Sequence, residues 1–167
     1  MRLNKPIKTI EMEVAISKLF GVRKHIIVPN ISWGFHIHEI DLLVIRNSGV
    51  ALEIEIKISK QDFINDLKKP HHHIDKNNRI TEFYYAIPYD LYEKCKELIP
   101  KESGIIICKR NANTQRVSAV IKRKSKRIKD ARKLTIDEQM KITKLGCMRI
   151  FSLKEKIIKL QYEINKK

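Results

Sequence analysis

The sequence predicts an α/β fold, a mixed sheet with helices packed on it, and three observations carry that expectation. Short apolar runs alternate with segments of helical periodicity; two of the runs are joined by a three-residue turn; the later runs return only through helix-length segments. The 167 residues suffice for one well-buried core with appended structure, and two full domains would be cramped.

"KTIEMEVAISKLFG" has helical periodicity and stops at Gly21, which predicts a helix over 10–20. "KHIIVPN" reads as a short strand ended by Pro29 and Asn30. His38 to Arg46 and Val50 to Ile58 are strand-like and joined by Asn47-Ser48-Gly49. Ser59 with Asp62 has capping-box spacing and opens a helix to about Lys69, before Pro70. "TEFYYAIP" is a strand, Asp90 with Glu93 opens a helix to about Leu98, "GIIIC" from Gly104 is a buried strand, and "QRVSAVI" is a further edge strand. Thr135 with Glu138 and Ser152 with Glu155 predict two last helices, over 136–145 and 153–165. The expected division is a core over 1–120 and a basic helical extension over 121–167.

Charge is unevenly placed. Of a formal net charge of +16, residues 1–108 supply 16 Lys/Arg against 14 Asp/Glu, and residues 109–167 supply 19 against 5. The densest piece, "IKRKSKRIKDARK", attracts polyanions, of which nucleic acid is the commonest inside a cell. Cys95, Cys108 and Cys147 are odd in number and lack CxxC pairing, which argues against a disulfide framework or a zinc knuckle. With no apolar leader and no bilayer-length apolar run, the expectation is a cytoplasmic protein.

The two strands around Asn47-Ser48-Gly49 carry acidic residues among apolar ones, and the turn fixes where these fall. A three-residue loop ending in Gly is commonly a type I turn followed by a left-handed residue. Arg46 then pairs with Val50, Asp41 with Glu55 and Glu39 with Lys57. Side chains alternate along a strand, so Glu39, Asp41, Glu53, Glu55 and Lys57 share one face. Four carboxylates there call for a counter-cation. On the first helix, Glu11 falls on the solvent side, while Glu13 falls within the apolar arc between Phe20 and Ser17 and needs a partner.

Hard cations such as magnesium take oxygen ligands and keep several waters, so one or two carboxylates suffice. Asp41 and Glu55 can share that task, with the Ile56 carbonyl as a third ligand. Lys57 can orient or deprotonate a water or stabilise charge on an attacked phosphate; the base role needs its pKa lowered.

Asp41, Glu55-Ile56-Lys57, an inward Glu13 on a first helix and a helix opening at Ser59 resemble the signature of the PD-(D/E)xK nucleases. Ile40 stands at the position of the signature's proline, a departure that is usual in that superfamily. "EIEIKISKQDFINDLKK", with "HEIDLL" before it and "FYYAIP" and "GIII" after it, is similar within that superfamily to the MmcB-like DNA repair proteins and related phage or bacterial nucleases. The resemblance implies a restriction-endonuclease-like αβββαβ core and magnesium- or manganese-dependent hydrolysis of DNA phosphodiesters, in repair, recombination or phage DNA processing. Its functional residues would be Glu13, Asp41, Glu55 and Lys57, with Glu13, Asp41, Glu55 and Ile56 around the metal.

DNA contacts are expected from Lys68, Lys69, Lys122, Arg123, Lys124, Lys126 and Arg127, and a homodimer if both strands are cut. The competing readings are a DNA-binding module on a lapsed nuclease fold and an RNA-binding protein. Glu53 is expected to face a groove or a basic neighbour, and Glu39 to hold Lys57. His71-His72-His73 reads as a polar loop, since three successive residues seldom converge on one ion. His36 and His38 have no third zinc-like ligand. Trp33, Phe83, Tyr84 and Tyr85 read as core aromatics before base-stacking ones.

Overall fold

A computed structural model describes residues 5–31, 39–68 and 78–165. Lys69, His71, His72 and His73, like Trp33, His36 and His38, lie outside the described residues.

The chain runs α1 (Thr9–Phe20), β1 (Ile26–Ile31), β2 (Ile40–Ile45), β3 (Ala51–Ile56), α2 (Lys60–Asp66), β4 (Ile80–Pro88), α3 (Tyr89–Cys95), β5 (Gly104–Arg110), β6 (Val117–Arg123) and α4 (Ile136–Ile164). Among the described residues the six strands form one sheet in sequence order. β1, β2 and β3 are antiparallel neighbours, β3, β4 and β5 run parallel, and β6 returns antiparallel on the edge. Each parallel step contains a helix, because parallel neighbours need a crossover where antiparallel ones need only a turn.

Both sides of the sheet are covered. Even-numbered strand residues, among them Leu42, Val44, Leu52, Ile54 and Ile106, meet Met12 and Ile16 of α1. Odd-numbered ones, among them Phe83, Tyr85, Ile87 and Ile107, meet Phe63 of α2 and Leu91 and Cys95 of α3. Ile142 of α4 joins Val28, Leu43 and Ile45 in a third cluster. Each fully buried large apolar side chain contributes roughly 1.5–3 kcal/mol. β3, covered on both faces, is buried at all six positions, and this makes its two glutamates conspicuous.

The turn forms as expected. Arg46 N–H donates to the Val50 carbonyl at 2.9 Å, Gly49 N–H to the Arg46 carbonyl at 2.8 Å, and Gly49 has φ +81°. A Cβ there would be strained and would fall 2.8 Å from the Leu134 carbonyl oxygen. The β2–β3 register follows, with Leu42 opposite Ile54 and Leu43 opposite Glu53.

Elsewhere the structure corrects the sequence reading. The apolar arc that the helix wheel draws through Ile10, Met12, Val14, Ala15, Ile16, Leu19 and Phe20 is too broad: Ile10 and Val14 are exposed, because the helix rests on the sheet through Met12, Ala15 and Ile16. Glu11 is not a plain solvent residue: it takes both ends of the Arg110 guanidinium at 2.8 Å and the Lys8 amide at 2.9 Å. α2 ends at Asp66, not near Lys69, and Ser59 caps it by accepting from Asp62 N–H. Asp90 does not cap α3, which starts behind Pro88 and ends at Cys95. Only the Thr135/Glu138 capping box forms at the C-terminal end, and α4 continues unbroken through Ser152. No Pro interrupts the chain there, Gly146 is accommodated within the helix at a modest cost, and Ser152 alone does not stop it. Residues 121–123 belong to β6, so the expected boundary after residue 120 falls inside a strand.

α4 is fastened at its start. Glu138 accepts from Arg79 at 2.7 Å and from both terminal nitrogens of Arg132 at 2.7 and 2.6 Å, while its backbone N–H donates to Thr135. The Leu134 amide also donates to the Gly49 carbonyl.

Candidate active site

The β2–β3 ladder ends at Leu42 opposite Ile54. Two residues further along β3, the Ile56 N–H donates to Asp41 Oδ2 at 2.8 Å, a side-chain bond where a backbone one would continue the ladder. Asp41 and Glu55 therefore face one another where the strands part. In a strand the N–H and C=O of one residue point the same way, so the Ile56 carbonyl is directed to that opening too.

Lys57, the first residue after β3, is buried with its ammonium between two carboxylates, Glu55 Oε2 and Asp66 Oδ1, each at 2.8 Å. Asp66 is the member that sequence reasoning missed. It sits three residues after Phe63 on α2, and both are buried; on a helix that spacing puts the pair on one face. An inward face ending in an aspartate was the available signal. Asp66 Oδ2 accepts the Tyr85 hydroxyl at 3.1 Å, and Tyr85 is wedged edge-on between Phe63 and Phe83. Aromatic packing thus fixes Asp66, and Asp66 fixes Lys57.

The electrostatics separate the roles. Glu55 is pushed up to about 7, first by burial, then by the Asp41 charge opposite, against the pull of Lys57. Asp41 is also raised by burial, which outweighs its bond from Ile56. Lys57 is raised despite its burial, because Asp66 and Glu55 both hold its proton. Both carboxylates favour the ammonium form, which suits the role of a fixed positive charge better than that of a base.

Glu13 lies on α1, across the sheet from the Lys57 side. It is half-buried and raised, chiefly by burial, with a hydrogen bond from the Asn30 side chain opposing and the charge of Asp41 adding to the shift. Asn30 holds a left-handed backbone, φ +52°. Glu13 thus belongs to the field of the site, and its hydrogen bond is with Asn30. Glu53 is fully buried and does not line a groove. Glu39 is exposed, and Lys57 is held by Glu55 and Asp66 instead.

Among the described residues no group of three or more His, Cys, Asp or Glu is assembled for a metal. The oxygen set here is smaller: two carboxylates, both costly to ionise without a cation, beside one backbone carbonyl. That donor chemistry suits magnesium or manganese, which take oxygen and fill the remaining positions with water.

The basic residues are dispersed. Lys68 is exposed behind α2; Lys122, Lys124, Lys126 and Arg127 are exposed on and after β6. Arg123 donates to the Ser103 and Pro100 carbonyls, and Lys126 pairs with Glu102 at 3.0 Å. No helix among the described residues is long and apolar enough to cross a membrane.

No family model and no curated protein matches the chain. Among solved structures it is similar to the SPO1766 protein of unknown function from Silicibacter pomeroyi, with a TM-score of 0.60 and 18% identity over 96% of each chain. At that identity the likeness is one of fold.

Proposed function

We propose that this chain is a magnesium- or manganese-dependent DNA endonuclease with a restriction-endonuclease-like core of the PD-(D/E)xK kind. The observation that carries the reading is the facing of Asp41 and Glu55 where the strands part, with Lys57 held as a buried ammonium beside them. Asp41, Glu55 and the Ile56 carbonyl would hold the metal. When bound, such an ion supplies a nucleophilic water near neutral pH and polarises the phosphoryl group. Lys57, fixed by Glu55 and Asp66, offsets the charge that grows on the attacked phosphate. Glu13 keeps negative potential at the opening. The basic stretch after β6 would draw the DNA, a homodimer would cut both strands, and the cytoplasm is the expected compartment.

Supercoiled plasmid, single-stranded DNA and branched DNA, each incubated with magnesium or manganese, test the reading. Cleavage that is lost in Asp41→Ala and in Lys57→Ala supports it. If all three substrates stay intact under both metals, the nuclease reading falls; if they are nevertheless bound, the chain is a DNA-binding module on a lapsed site.

A further inference from the structure

A cavity of about 280 Å³ opens at the carboxyl ends of β4 and β5, between the segment before α1 and the start of α3. Ile58, next after Lys57, forms part of its wall, while Asp41, Glu55 and Lys57 do not line it. Neighbouring strands lie ~4.8 Å apart, which puts its centre on the order of 10 Å from Glu55, along the same sheet edge.

The lining has two characters. Lys5, Lys94, Lys109 and Arg110 contribute four positive charges against one carboxylate, Asp90. Arg110 is committed to Glu11, which leaves three lysines at the rim. The floor is apolar, with Ile7, Pro88 and Leu91, and Tyr89 stands beside it half-exposed. Lys109 Nζ rests 4.8 Å from the centre of the Tyr89 ring; such a contact on an exposed ring is weak and readily exchanged for a phosphate.

Cations alone would suit any polyanion. A duplex presents phosphates outward and keeps its bases stacked, so it has no use for an apolar floor and an exposed ring. An unpaired nucleotide has both a phosphate and an open base face. We infer that this cavity seats an unpaired nucleotide flanking the phosphate at Asp41 and Glu55, with its base on Tyr89 and its phosphate on Lys94 and Lys109. The inference rests on the nuclease reading and narrows the substrate to single-stranded or splayed DNA.

The test is fluorescence anisotropy of the full chain with labelled oligo(dT) and with a matched duplex, in EDTA so that metal-dependent cutting is absent. Tyr89→Ala is expected to weaken oligo(dT) binding about tenfold, within the range of one lost base stack, and to leave duplex binding within about twofold. Tyr89→Phe should bind like wild type, and Lys109→Ala should weaken both ligands. Unchanged oligo(dT) binding in Tyr89→Ala, or equal loss on both ligands, overturns the inference while leaving the nuclease reading to its cleavage test. If wild type binds neither ligand, the inference falls with nucleic-acid binding itself.

Discussion

Two partly buried ion clusters in this molecule behave oppositely. At the start of α4, one carboxylate, Glu138, accepts from two arginines and from the Thr135 backbone N–H, and its pKa is driven well below the usual range, first by Arg132. At the opening of β2 and β3, one ammonium serves Glu55 and Asp66, Asp41 accepts from a backbone amide among the described residues, and Glu55 and Asp41 are raised. The first cluster stabilises the fold in the charged form it has at neutral pH. The second is poised against its own charge, a pattern shared by functional sites and by some structural networks. A cation in that opening would remove the difference.

The largest expected effect is on chemistry. Asp41→Ala and Lys57→Ala should each lower plasmid cleavage by at least ~10²-fold, measured on protein whose circular dichroism matches wild type. Glu138→Gln should leave cleavage per folded molecule nearly intact; if it cuts as poorly as Asp41→Ala, the contrast between the clusters fails.

Stability should move the other way. Glu138→Ala leaves two arginines without their carboxylate and α4 without its capping box, a loss of roughly 2–4 kcal/mol in urea unfolding. Asp41→Asn removes a charge that burial disfavours and should stabilise the metal-free protein by ~1 kcal/mol. A destabilised Asp41→Asn would mean that Asp41 is structural.

In the sequence the facing strand pair was legible, and of the Glu138 cluster only the capping box was. Gly49 set the hairpin register, and the register set Asp41 against Glu55, because a turn with a required left-handed residue leaves the strands little freedom. Glu13 was readable as inward from the helix wheel, but its hydrogen bond with Asn30 came from a strand residue that no periodicity links to α1. Asp66 and Glu138 were harder still. Their partners come from other elements: Asp66 meets Lys57 just after β3 and Tyr85 from β4, and Glu138 meets Arg79 ahead of β4. Local cap spacing holds at Ser59 and Thr135 but not at Asp90 or Ser152, where the chain runs into or through the helix without it.

The pH dependence sharpens the same contrast. Glu55 has a folded pKa of about 7, above its unfolded value of 4.5, so the folded state keeps a proton that the unfolded state has released. Metal-free stability should therefore fall as pH rises from about 4.5 to about 7, by up to ~3 kcal/mol from this group. Glu55→Gln should flatten that window. Magnesium competes with the proton, so its rise in Tm should be larger at pH 8 than at pH 6. Equal shifts at both pH values would place the ion elsewhere.

The smallest effect belongs to Glu11. Its carboxyl is lowered to about 2, chiefly by Arg110, so its contribution is present above pH 4.5 and is lost as pH falls toward 2. Because the pair is partly exposed, Glu11→Gln should cost only ~0.5–1 kcal/mol at pH 7, and its difference from wild type should shrink in acid.

The most direct measurement is manganese binding at pH 8, followed by electron paramagnetic resonance of the free ion, in wild type, Asp41→Asn and Glu138→Gln. The expected result is one site per chain in wild type and Glu138→Gln, lost or weakened at least tenfold in Asp41→Asn. Binding that is absent in wild type, or that survives Asp41→Asn unchanged, would contradict a metal held between Asp41 and Glu55.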